Sequence, residues 1–277
     1  MILVTGATGN IGSALVGELH ACGARPLRGL TRDAARATFP EGVEAAEGDF
    51  GEPESWEHAL DGVRSLFLVS RLGPDAQLIE AARLAGVEHV VLVSSITVQT
   101  HPHLGPAAEN LAVERLLKES GMAWTILRPT QFASNALMWA ASIRAGETVR
   151  APYAETGLPT IHPADIASVA RVALTEPGHQ GRTYALTGPA PVTARQQVEA
   201  IAAALGRDVP FVEIGRQEAH ARMAAIFGDE GADAVLDVTG GDVNDELLAV
   251  RDEVSRVTGS PARPFRQWAA ENADLFR

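Results

Sequence analysis

Gly6-Ala7-Thr8-Gly9-Asn10-Ile11-Gly12 has the residue types and the spacing to hold a pyrophosphate. Gly6 permits a tight turn that a Cβ would block. Gly9 removes a side chain where a phosphate must approach the backbone, and Gly12 lets a helix lie close to the preceding strand. That chemistry needs a strand ahead of the glycines and a helix behind them. Ile2-Leu3-Val4 is an apolar run suited to a buried strand, and Ile11, Leu15, Leu19 and Cys22 recur at helical spacing. A helix starting here offers unpaired N–H groups and the positive end of its dipole to an anion. The alternative is a glycine-rich βα turn with no ligand. The strand-loop-helix context favours dinucleotide binding through Gly6, Thr8, Gly9, Asn10, Ile11 and Gly12.

About 20 residues beyond the loop, a second strand over 25–30 ends in Thr31-Arg32-Asp33. An acidic residue at that place holds a ribose 2′-hydroxyl, and an arginine suits a 2′-phosphate. Arg32 therefore points to NADPH, with Arg28 or Arg36 as helpers; its other reading is a solvated surface arginine. Asp33 either caps a following helix or contacts a ribose.

The elements that position these groups alternate regularly. Strands are expected over 43–48, 65–69, 88–95 and 123–127, the last stopped at Arg128-Pro129. Helices are expected from Pro53, over 74–85 and over 104–120. This alternation implies a doubly wound parallel sheet, with ligands at the carboxyl ends of its strands. Beyond it, helices are expected over 132–143, 163–174 and 193–205. A strand near 183–188 returns to the sheet, a further strand lies over 209–214, and the remainder is helical with breaks at Gly228, Gly231 and Gly240-Gly241. Residues 1–150 read as the dinucleotide-binding domain, and 151–277 as a smaller, mostly helical substrate-binding or lid region.

A chain of 277 residues with 46% hydrophobic content can bury a large core. A net charge of −12 argues against a nucleic-acid surface. The single cysteine, Cys22, fits a reducing compartment. No apolar run reaches membrane-spanning length and no targeting segment is read, so the cytoplasm is the expected location. The oligomeric state is open, a homodimer among the options.

With these residues placed, the chain resembles the NmrA-like branch of the atypical short-chain dehydrogenases/reductases. The glycine loop, Glu114-Arg115-Leu116-Leu117-Lys118-Glu119-Ser120-Gly121, Trp124-Thr125-Ile126-Leu127-Arg128-Pro129, Phe132-Ala133-Ser134-Asn135, Asp165-Ile166-Ala167 and Tyr184-Ala185-Leu186-Thr187-Gly188-Pro189 follow one another as in that branch. The resemblance implies that Asp49 and Phe50 meet the adenine, Val69-Ser70-Arg71 the adenosine side, and Ser94 and Ser95 the nicotinamide. It places Asn135, with Phe132, at the substrate pocket. On the residues alone, Asp49 also reads as a turn residue, Phe50 as core and Asn135 as a helix-stabilising polar group. The Tyr-x-x-x-Lys pair of the wider superfamily falls, aligned on Glu114, at Pro106 and Asn110, which cannot perform its acid chemistry. The two tyrosines, Tyr153 and Tyr184, lie far along the chain.

His101-Pro102-His103 follows the fifth strand. It reads as a solvated pair or as a proton donor, and a metal reading lacks a third ligand nearby. His162 reads as part of a helix start or as a catalytic group, and Trp139 as packing or as a roof over the nicotinamide. The reading is an NADPH-dependent reductase of a small conjugated acceptor (quinone, enone or imine), with Ser95 or Thr97 donating a hydrogen bond and His101 a proton. Its rival is an NADP(H)-sensing binding protein that acts through a protein partner.

Overall fold

The computed structural model describes residues 1–49, 51–71 and 73–277. Its strands are β1 (Ile2–Val4), β2 (Leu27–Thr31), β3 (Val43–Glu47), β4 (Ser65–Val69), β5 (His89–Val93), β6 (Ala123–Pro129), β7 (Val149–Ala151), β8 (Arg182–Leu186) and β9 (Phe211–Glu213). Seven of them form one sheet in the order β3-β2-β1-β4-β5-β6-β8. Every pairing in it is parallel. The order reverses beside β1, which puts the glycine loop at the point where this fold opens a crevice.

The helices are α1 (Gly12–Ala21), α2 (Pro53–Trp56), α3 (Asp75–Leu84), α4 (Thr97–Thr100), α5 (Gly105–Glu119), α6 (Ala140–Arg144), α7 (Pro163–Thr175), α8 (Ala194–Leu205), α9 (Arg216–Leu236), α10 (Asp245–Leu248), α11 (Glu253–Thr258) and α12 (Phe265–Glu271). Alternate residues of each central strand feed opposite faces of the sheet. Val91 and Val93 of β5 join Val4, Leu15, Leu19 and Val169 under α1 and α7. Val90 and Leu92 join Leu3, Leu78, Val113 and Leu117 under α3 and α5. Cover on both faces explains why β5 is buried along its whole length. A third core, with Ile143, Ile201, Phe265, Trp268 and Phe276, holds α6, α8 and α12 together.

Several expected boundaries moved. β6 continues through Arg128 and Pro129, because β8 lies outside it and pairs both. No helix follows β2; the chain turns, and Asp33 Oδ1 accepts the Arg36 N–H at 3.1 Å. Residues 132–143 do not form one helix: a 3₁₀ stretch, Ala133–Trp139, precedes α6. α9 bends at Gly228 (φ 72°) and runs on through Gly231. β9 pairs with β7 in a separate two-stranded sheet. Among the described residues no helix is long and apolar enough to cross a membrane.

Candidate active site

The loop between β1 and α1 is fastened at several points. The Thr5 N–H and hydroxyl both donate to the Phe67 carbonyl, at 3.1 and 2.9 Å, and the Ala7 N–H donates to that of Leu30 at 3.2 Å. Gly6 turns with φ 58°, and its carbonyl accepts the Gly9 N–H at 2.9 Å. A Cβ on Gly12 would stand 2.1 Å from the Gly6 oxygen, so no other residue fits there. A Cβ on Gly9 would meet only that same oxygen, at 3.2 Å, and would otherwise project into the open cradle. Thr8, Gly9 and Asn10 are exposed at the start of α1, whereas the Ile11 side chain is buried in the core. Ile11 can therefore offer a ligand only its backbone. An exposed backbone cradle at a helix N-terminus fits a dinucleotide pyrophosphate.

Two arginines, one on β2 and one just past it, part company. Arg32 is exposed and makes no ion pair among the described residues. Arg28 is buried, donates to the carbonyls of Ala59 (2.6 Å) and Asp61 (3.0 Å), and pairs with Glu44 at 2.9 Å. Arg28 is thus a structural clamp and not a helper at the cofactor. Arg36 stays exposed, 3.8 Å from Asp33, and lines a groove with Thr8 and Ser13.

The other expected cofactor residues divide. Asp49 Oδ1 accepts the Gly51 N–H at 2.8 Å, so its carboxylate builds a turn; Phe50 lies outside the described residues. Val69 is half-buried against the core. The Ser70 hydroxyl lies 2.9 Å from the Val93 carbonyl and 2.6 Å from Asn110 Oδ1. Arg71 takes φ 65° and pairs with Glu109 at 2.6 Å. The Ser94 hydroxyl does not face an open site: it donates to Glu114 at 2.8 Å.

Glu114 is fully buried and also accepts from Arg128 Nε at 2.9 Å and Nη2 at 2.6 Å. Burial opposes its charge, but the hydrogen bonds from Arg128 and Ser94 outweigh burial and hold the carboxyl below the usual glutamate value. Asn110, in the place of the usual lysine, is buried and donates to the Pro106 carbonyl at 2.9 Å.

The three catalytic candidates lie close in sequence but not in role. Ser95 and Thr97 share a hydrogen bond of 2.8 Å and are half-buried. His101 is neither solvated nor free. It is wholly buried, with Nδ1 on the Thr100 hydroxyl at 2.8 Å and Nε2 on the Asp242 carbonyl. A carbonyl can only accept, so Nε2 carries the proton and Nδ1 receives that of Thr100. His101 thereby ties the segment after β5 to the turn after α9, and its one N–H is already donated to the Asp242 carbonyl. His162 caps α7 by accepting the Ala164 N–H at 3.0 Å, and burial lowers its pKa.

An apolar cavity of about 730 Å³ opens beyond the carboxyl ends of β6 and β8. Asn135 and Trp139 line it; Phe132 does not, and packs instead against the core under α1 and α7. Neither Ser95 nor Thr97 lines it, although Ile96 between them packs on Leu158, which does. Sequence reasoning missed Gln131, Arg150, Tyr153, Gln197 and Met223 in its wall. They sit on four separate segments with no common spacing, so only the rarity of tyrosine marked any of them.

Residues 6–177 match the model of the NAD(P)H-binding family. The chain is 38% identical, over all of its length and 99% of the relative's, to the (4-alkanoyl-5-oxo-2,5-dihydrofuran-3-yl)methyl phosphate reductase of Streptomyces griseus. It is 39% identical, over the same shares, to the NAD(P)H azoreductase of Xenophilus azovorans. The crystal structure of the Escherichia coli NADPH-dependent quinone oxidoreductase with NADPH superposes with a TM-score of 0.80, at 25% identity, covering 98% of this chain and 99% of that one. The chain belongs to the NAD(P)H-binding family, in the NmrA-like branch of the atypical short-chain dehydrogenases/reductases, and is an NAD(P)H-dependent oxidoreductase.

Proposed function

We propose that the protein reduces a small conjugated acceptor, a quinone, enone or imine, with NADPH as the electron source. The observation that carries this reading is the apolar cavity at the carboxyl ends of β6 and β8, in a chain whose Tyr-Lys positions are Pro106 and a buried, fully engaged Asn110. Such a site lacks the usual means of protonating an isolated ketone. A conjugated acceptor needs less help, because the arriving charge spreads over its π system. The compounds in the relatives' names, an alkanoyl-oxo-dihydrofuran, an azo compound and a quinone, share that conjugation.

The bound cofactor supplies a hydride from its nicotinamide. The chain's part is to hold and orient. Gly6, Gly9, Gly12 and the start of α1 take the pyrophosphate, flanked by Thr8 and Asn10. Arg32, free of protein partners among the described residues, takes the 2′-phosphate. Val69, Ser70 and Arg71 border the adenosine side. Asn135 and Trp139 face the acceptor, and the apolar wall excludes water. The Ser95–Thr97 pair stands outside that wall, at the end of β5, and lends its hydrogen bond on the nicotinamide side. A lone cysteine fits a reducing compartment, and we place the protein in the cytoplasm.

The test is stopped-flow oxidation of NADPH with a quinone, an enone, a cyclic imine and a plain aliphatic ketone. Turnover with the first three and little with the ketone is expected. Ser95→Ala should slow turnover about fivefold, the loss of one hydrogen bond near 1 kcal/mol, at nearly unchanged NADPH affinity. No oxidation with any acceptor, despite tight NADPH binding, would leave the sensing reading in its place.

A further inference from the structure

We propose that Tyr153, held by Arg216, donates the proton that completes reduction, as a relocated counterpart of the missing Tyr-Lys pair. The inference rests on the reductase reading above. The chain has two tyrosines. Tyr184 is buried and its hydroxyl is bound to His179 at 2.8 Å. Tyr153 lines the acceptor cavity.

Three features fix its ring there. Its backbone takes φ 53°, a conformation that residues with side chains seldom adopt and that gathers at functional sites. Its ring lies against Gly240, where a Cβ would stand 2.2 Å from Cγ. Gly240 has φ 168°, an extended value open to any residue, so this glycine makes room for the ring and is not needed for backbone freedom. Finally, Arg216 Nη1 donates to the Tyr153 hydroxyl oxygen at 3.3 Å.

That direction matters. Arginine has no acceptor, so the phenol receives a hydrogen bond and keeps its own proton to give. Among the described residues the hydroxyl has no other partner. Arg216 is itself braced by Asp233 and Asp237, each at 2.8 Å. The two carboxylates offset the guanidinium charge, so Arg216 acts through its directed N–H more than through its field. Arg216 is a positioning residue, and Tyr153 the group that meets the acceptor.

The step balances. An enone takes a hydride at its electrophilic carbon and carries the charge on its oxygen. The Tyr153 O–H bond breaks and that proton bonds to the oxygen. The phenolate left behind stays hydrogen-bonded to Arg216 and regains a proton from water at the cavity's exposed rim, near Asn135, Met138 and Arg150. A quinone takes one hydride and one proton in the same way and leaves as the hydroquinone.

The test uses Tyr153→Phe, which keeps the ring and loses only the hydroxyl. With a quinone and an enone, kcat should fall about a hundredfold while NADPH affinity holds. A second readout is independent of turnover: para-nitrophenolate, an oxygen anion, is titrated into the NADP⁺-loaded protein, and its binding and visible band are followed. Tyr153→Phe should weaken binding about tenfold and abolish the band shift, and Tyr184→Phe should change neither. Gly240→Ala, which pushes the ring aside, should reproduce the Tyr153→Phe result and add nothing in the double variant. An unchanged kcat and an unchanged nitrophenolate spectrum in folded Tyr153→Phe would overturn the inference while wild-type turnover upholds the reductase reading. Should Tyr153→Phe not fold, an unchanged Gly240→Ala protein overturns it equally. A wild type that binds NADPH tightly but oxidises it with none of these acceptors overturns the reading itself, and the inference with it.

Discussion

Seven consecutive residues, Gly6 to Gly12, form the cradle assigned to the pyrophosphate, whereas the acceptor cavity takes its wall from segments spread between Gln131 and Thr239. The cradle is backbone. Its shape follows from which residues lack a Cβ, and a side-chain change at Thr8 or Asn10 leaves it standing. The cavity is side chain, lent by the 3₁₀ stretch before α6, by the loop after β7, by α8 and by α9. Such a wall can be altered one residue at a time without disturbing the sheet. On the proposed assignment, the end that would bind the common cofactor is rigid by construction, and the end that would select the acceptor is adjustable.

Away from both, Glu114 ties Ser94 at the end of β5 to Arg128 of β6. Its removal should have the largest effect. Glu114→Ala leaves the Arg128 guanidinium without its carboxylate and should cost about 3–5 kcal/mol in urea unfolding. The pH dependence has a definite sign. The carboxyl is held lower in the folded protein than in the unfolded chain, so its contribution is complete above the ordinary glutamate value. It is lost as pH falls through the folded value. Wild type should lose stability across that acid window, and Glu114→Ala should lose less.

Within the cradle, two glycines separate folding from binding. Gly12→Ala drives a Cβ into the Gly6 carbonyl at 2.1 Å and should destabilise the protein by about 3 kcal/mol. Gly9→Val should leave thermal stability nearly intact, because its side chain projects from an exposed position, yet abolish NADPH binding by calorimetry. Equal NADPH affinity in a folded Gly9→Val protein would remove the cradle from the cofactor site.

The two arginines sharpen the contrast further. Arg32→Ala should lower the NADPH over NADH preference about tenfold to a hundredfold, the worth of a charge-assisted contact of roughly 1.5–3 kcal/mol. Arg28→Ala should leave that ratio alone and lower stability instead, since its guanidinium serves Ala59, Asp61 and Glu44. Fluorescence titration of both cofactors decides it. A shifted ratio in Arg28→Ala with an unshifted one in Arg32→Ala would reverse the assignment.

Much of the frame was legible because its causes are local. The apolar runs 65–69 and 88–95 became β4 and β5, and Gly86, Gly121 and Gly206 stand just past their helices with positive φ. The weak strand 25–30 was inferred from what the fold requires, and it shifted to Leu27–Thr31. Residues 132–143 carried a helical appearance but split, since their inner face packs on α8 and α12, which come later in the chain.

By itself the sequence determined the parallel sheet, the glycine cradle and the family, because each depends on residues close together whose backbone preferences need no distant partner. Only the tertiary structure decided that Arg28 is a clamp and that Arg32 has no ion-pair partner among the described residues, although both lie on or next to one short strand. Only the tertiary structure buried His101 against Asp242, and carried Tyr153 into the cavity beside Arg216. Those outcomes turn on which groups meet across 16 to 141 positions of chain, and burial and hydrogen-bond direction are properties of the meeting, not of either residue.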